Sequence, residues 1–64
     1  MDASQVTLNG RYVEIAAPGK TAVVISLDGK PDRPVFVTFM YLDEPHPHRG
    51  LPMDHFVSRF APAV

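Results

Sequence analysis

Apolar and polar residues alternate in short runs along this chain, and glycine and proline punctuate the runs. A period of two predicts strands. In Val6-Thr7-Leu8-Asn9-Gly10-Arg11-Tyr12-Val13-Glu14-Ile15, the Asn-Gly pair favours the positive φ angles of a two-residue hairpin turn between two β-forming segments. With that turn, Val6, Leu8, Val13 and Ile15 share one face; in the alternative, residues 1–8 are a loose lead-in and the first strand starts after Gly10. Ala17-Pro18-Gly19-Lys20 predicts a type II turn, with proline and glycine at its two central positions. The strand after it, Thr21 to Leu27, puts the large Val23, Ile25 and Leu27 on an expected core face, and Ala22, Val24 and Ser26 on the other.

Asp28 to Pro34 contains two prolines and predicts an exposed, stiff connection, too long for a tight hairpin. Val35 to Leu42 is apolar on both faces, unlike a half-exposed antiparallel strand. Its second face therefore needs a cover: a bent sheet, the C-terminal segment or another subunit. Asp43 to Gly50 is polar and broken by two prolines, so a loop is predicted. The remainder has two readings. Met53, Phe56, Val57 and Phe60 fall at i, i+3, i+4 and i+7 of a helix starting at Pro52. The other reading, which we prefer, is a short strand over 49–51, one helical turn over 52–55 and a last strand over 56–60. Together these elements predict an all-β domain over residues 6–60, a small antiparallel barrel of four to five strands with a single-turn or short C-terminal helix. Residues 1–5 and 61–64 are expected to be flexible ends.

The order strand, Pro-Gly turn, strand, long loop, strand, polar loop, short strand and helical turn resembles the SH3-like small barrels, which include KOW and Tudor modules. Arg33-Pro34-Val35-Phe36-Val37 through Tyr41-Leu42, followed by Arg49-Gly50-Leu51-Pro52-Met53-Asp54-His55-Phe56, is similar to small uncharacterised bacterial proteins with a valine-rich strand ending in Tyr and Leu. The likeness spans residues 10–60 and implies a fold, not an activity. Plasmid-borne dihydrofolate reductases share that barrel and resemble this chain in size. Their pore uses a Val-Gln-Ile-Tyr strand where this chain reads His48-Arg49-Gly50-Leu51, so no residues carry that role here. An aromatic cage like that of Tudor modules has only Tyr12 and Tyr41 to draw on.

Sixty-four residues without cysteine leave room for one domain, with no disulfide or thiolate zinc site to staple it. Packing or a partner chain must supply the stability. A net charge of −1 gives no overall electrostatic drive toward nucleic acid. The apolar runs fall short of the ~20 residues that span a bilayer, and Met1 to Gln5 shows no signal region, so a cytoplasmic location without a membrane partner is expected.

His46-Pro47-His48, with His55 further on and Asp43, Glu44 and Asp54 nearby, is the one cluster with metal-ligand chemistry, suited to zinc, nickel or copper. Prolines beside histidines equally describe a rigid solvated loop, and no cofactor is expected. Ser4, Ser26 and Ser58 lack a nucleophile-elbow setting, so no catalytic residue is assigned. Pro18-Gly19-Lys20-Thr21 lacks the upstream glycine of a phosphate-binding loop. Arg11, Arg33 and Arg49 with Tyr41 form a candidate nucleic-acid surface, should a barrel gather them. The apolar excess carries more weight: Phe36, Met40, Leu42 and Tyr41 are the expected contact of a non-enzymatic module that binds protein and self-associates.

Overall fold

The computed structural model describes residues 1–63. Five strands, β1 (Arg11–Glu14), β2 (Ala17–Lys30), β3 (Arg33–Tyr41), β4 (Glu44–Pro52) and β5 (Phe60–Pro62), are joined by short turns, with helix α1 (Met53–Arg59) between the last two. They make one antiparallel sheet in the order β4-β3-β2-β1-β5. The expected all-β class with a short C-terminal helix is therefore observed. Among the described residues no pairing joins edge strand β4 to edge strand β5, so the sheet is open and the expected barrel is not closed.

Although open, the sheet bends strongly over its core. Adjacent strands lie about 4.8 Å apart, and β3 is three strands from β5, yet the Phe39 and Phe60 rings have centroids 5.2 Å apart. The inner residues Tyr12, Ala22, Val24, Val37, Phe39 and Tyr41 converge, and Phe56 of α1 closes the hollow against Tyr12, Phe39 and Phe60. The helix forms because Met53, Phe56, Val57 and Phe60 keep one stripe on the core, with Asp54 in its first turn and Arg59 in its last to match the helix dipole. The preferred short-turn reading is corrected accordingly: the helix runs two turns, and the final strand begins at Phe60.

The Asn-Gly hairpin does not form. Asn9 takes a positive φ of 64°, but Gly10 does not, and a type I′ turn needs both. Asn9 N–H donates to Val24 O at 2.8 Å and Gly10 O accepts from Val24 N–H at 3.1 Å, so this segment leads into β1 instead. The Tyr12 hydroxyl fixes the lead-in, accepting from Thr7 N–H at 2.9 Å and donating to Gln5 O at 2.7 Å. A Cβ on Gly10 would run into that hydroxyl and the Thr7 carbonyl. Ala3–Gln5, within the segment expected to be a flexible end, is a single 3-10 turn whose Gln5 side chain accepts from Asp2 N–H at 2.9 Å. At the other end, Ala61 and Pro62 belong to β5 and Ala63 N–H donates to Arg11 O, so the paired region extends past residue 60. Val64 lies outside the described residues.

Four further expectations are corrected, three by a bulge and one by a tight turn. The β1–β2 turn is Ile15-Ala16, and Pro18-Gly19-Lys20 bulges out of β2 between the pairs Glu14↔Ala17 and Val13↔Thr21. Ile25 is an extra residue between Val24↔Phe39 and Ser26↔Thr38, which changes the face of the strand midway. Ala22 and Val24 are consequently the core residues, with Val23 outward, and Leu27 returns inward opposite Val37. The segment predicted as a loop over 43–50 is largely β4. Its Pro45-His46-Pro47-His48 bulge has no ladder partner between Tyr41↔Glu44 and Phe39↔Arg49, which is how an edge strand accommodates two prolines. The His46–Pro47 bond is cis. The expected long connection at 28–34 is a tight turn, Pro31-Asp32, flanked by the pair Lys30↔Arg33.

Candidate functional site

Alternation along β3 separates two surfaces. Val37, Phe39 and Tyr41 point into the hollow, whereas Phe36, Thr38 and Met40 point outward. Across the sheet, Met40 stands opposite Val23, and Leu42 N–H donates to Thr21 O, continuing the outer surface past the end of β3. Val13 of β1 and Ala61 of β5 are paired on the same side. The result is an apolar patch of Val13, Val23, Met40, Leu42 and Ala61. Phe36 stands further along, laid over Gly50, where a Cβ would collide with its ring. Phe36 and Leu42 are 45% and 46% exposed. Of the four residues expected at an interface, three lie on this outer side; Tyr41 is the correction, since its position in the strand turns it inward and leaves it 7% exposed.

The second surface is the mouth between the edges. A cleft of about 300 Å³ is lined by Glu14, Phe39, Tyr41, Arg49, Gly50, Leu51, Arg59 and Phe60. The Tyr41 hydroxyl donates to Glu14 Oε1 at 3.4 Å, while Lys20 Nζ and Arg49 Cζ each lie 5.2 Å from its ring centroid. Burial pushes the Tyr41 phenol above its ordinary value, the Glu14 carboxylate adds to the rise, and Arg49 and Arg59 oppose it. Arg49 also reaches the partly exposed Glu44 Oε1 at 3.6 Å.

The candidate nucleic-acid set is only partly brought together. Arg49 and Tyr41 meet, but the Tyr41 ring is covered and cannot receive a stacked base. Arg33 lies at the β2–β3 turn beside Asp32, eight residues or about 26 Å along β3 from Tyr41. Arg11 is on the outer side of β1, opposite Val23. Lys20 and Arg59 are two of the scattered basic residues that a curled sheet could gather, but nothing in their spacing, or in that of Glu14, reveals that a bulge and a helix end return them to Tyr41.

His46 and His48 stack with centroids 5.5 Å apart in the β4 bulge, while His55 sits exposed on α1. Among the described residues no group of three or more His, Asp or Glu is placed to hold a metal ion. No helix among them is long and apolar enough to cross a membrane. Comparison with protein families, curated proteins and solved structures finds no match for this chain.

Proposed function

We propose that this chain is a non-enzymatic protein-binding module that self-associates through the outer face of its sheet, with Phe36, Met40 and Leu42 in the contact. The observation that carries the reading is the pair of half-exposed large residues, Phe36 and Leu42, flanking an outward Met40 while the inner face is already filled. Residues of this kind in contiguous array are what protein interfaces use and what isolated surfaces avoid. In this reading it is a small accessory or inhibitor protein of the cytoplasm, related in architecture to SH3-like barrels, and a second copy of the chain is the first partner to seek. Native mass spectrometry of the wild type and of Met40→Asp tests it. An oligomer that becomes monomeric in the variant, with an unchanged circular dichroism spectrum, supports the reading. A wild type that stays monomeric at every concentration removes self-association from it.

A further inference from the structure

Three charged residues stand on positions that the sheet's alternation reserves for the core. Arg49 pairs with Phe39, Glu44 with Tyr41 and Glu14 with Phe60, so all three side chains leave the backbone on the inner face. None enters the apolar interior, because each lies near the edges where the bent sheet fails to close. Arg59, at the end of α1, reaches the same mouth from the third side. Its floor is Phe39 and Phe60, 3% and 1% exposed. Three of the chain's six basic residues, Lys20, Arg49 and Arg59, thus gather around Tyr41. Against them stand two carboxylates, Glu14 and Glu44, which leaves three minus two, a local charge of +1, on a chain whose net charge is −1. Among the described residues Arg59 has no ion-pair partner.

We propose that this mouth binds an oxyanion, the carboxylate or phosphate of a small organic molecule, between Arg49 and Arg59. Guanidinium groups suit such oxygens because they offer paired donors in a planar fork. The Tyr41 hydroxyl is a third donor: its bond to Glu14 is long at 3.4 Å, and a ligand oxygen replaces that acceptor at little cost. A volume of about 300 Å³ is at the small end of ligand clefts and holds a group of a few heavy atoms. A second, more apolar hollow of about 360 Å³ shares Glu14 and Arg59 and adds Ile15, Ala16 and Ser58. It offers the carbon part of the ligand a place beside the anion. The hollow at the β2–β3 turn also carries two basic residues, Lys30 and Arg33, and one carboxylate, Asp28, but its apolar wall is the half-exposed Phe36 rather than a buried ring.

Amide chemical shifts of the full chain, followed by nuclear magnetic resonance at constant ionic strength, provide the test. Inorganic phosphate and acetate are the two probes, with sodium chloride as the control. Saturable shifts at Gly50, Leu51 and Phe60 with either probe support the site, and the stronger probe tells whether phosphate or carboxylate is the natural group. Arg49→Gln and Arg59→Gln each weaken binding about tenfold, and Glu14→Gln tightens it about threefold by removing a like charge. The spectrum of each variant reports its own folding. Shifts that stay linear with both probes, or saturable binding that ignores both arginine substitutions, overturn the proposal.

Discussion

The two faces of β3 are built from similar residues and have different fates. Inward, Val37, Phe39 and Tyr41 are 0%, 3% and 7% exposed; outward, Phe36 remains 45% exposed and Met40 half-buried. Hydrophobicity alone does not separate them. What separates them is the bend of the sheet, which wraps one face around Phe56 and Phe60 and leaves the other without a cover. An apolar strand is thus evidence of two surfaces, of which the chain itself fills only one.

The contrast breaks most sharply at Phe56. Phe56→Ala empties the centre of the ring cluster and costs about 4 kcal/mol, comparable with the whole stability of a domain of this size, so thermal melting should show little or no cooperative transition. Phe36→Ala, on the outer face, should melt within a few degrees of the wild type. Tyr12→Phe comes next. It leaves Thr7 N–H and Gln5 O without their partner and costs about 2 kcal/mol, read as a lower urea midpoint with an unchanged slope. Gly50→Ala drives a methyl into the Phe36 ring; because that ring is half-exposed and can swing away, the cost is about 1 kcal/mol.

Alkaline titration sharpens the comparison at Tyr41, the inner-face residue at the mouth. Its folded phenol holds the proton more tightly than the unfolded one, whose value is 10.0. The native state therefore binds more protons above that pH, and stability is complete below about pH 10 and falls as pH rises through the folded value. Denaturant melts across this range should show the fall, and Tyr41→Phe should reduce it. The smallest effect on stability belongs to Leu42→Asp, within about 0.5 kcal/mol, because Leu42 is 46% exposed. Its value lies in the second readout: loss of self-association at unchanged melting temperature distinguishes a binding face from a core face.

Much of the fold was legible wherever the local pattern and the tertiary demand agreed. The apolar alternation of Val37, Phe39 and Tyr41 survives folding unchanged, whereas the stripe Met53, Phe56, Val57 and Phe60 supports a helix only as the less favoured of two readings, and it is that reading the fold adopts, because Phe56 is needed to close the core. The failures cluster at bulges. Ile25 breaks the phase of β2, so a reading by side-chain size put Val23 in the core in place of Ala22 and Val24. Pro45-His46-Pro47-His48 looks like a loop because its prolines forbid ladder bonds, but a bulge on an edge strand requires none. The candidate site was less legible still. Of the mouth's charged residues, the sequence singles out Arg49 for a nucleic-acid surface and Glu44 for a metal cluster, neither for the site they form.

Local pattern is enough for the all-β class, the alternating strands and the absence of disulfide chemistry, because these depend on residue types and on neighbours a few positions away. Long-range packing settles which face of each strand is buried, that residues 53–59 are helix, where the two sheet edges fail to meet, and that Glu14, Lys20, Arg49 and Arg59 assemble around one phenol. The reason is physical. A one-residue bulge turns every later side chain to the opposite face, and its position is chosen by the packing of strands far apart in the chain, not by the residue that bulges.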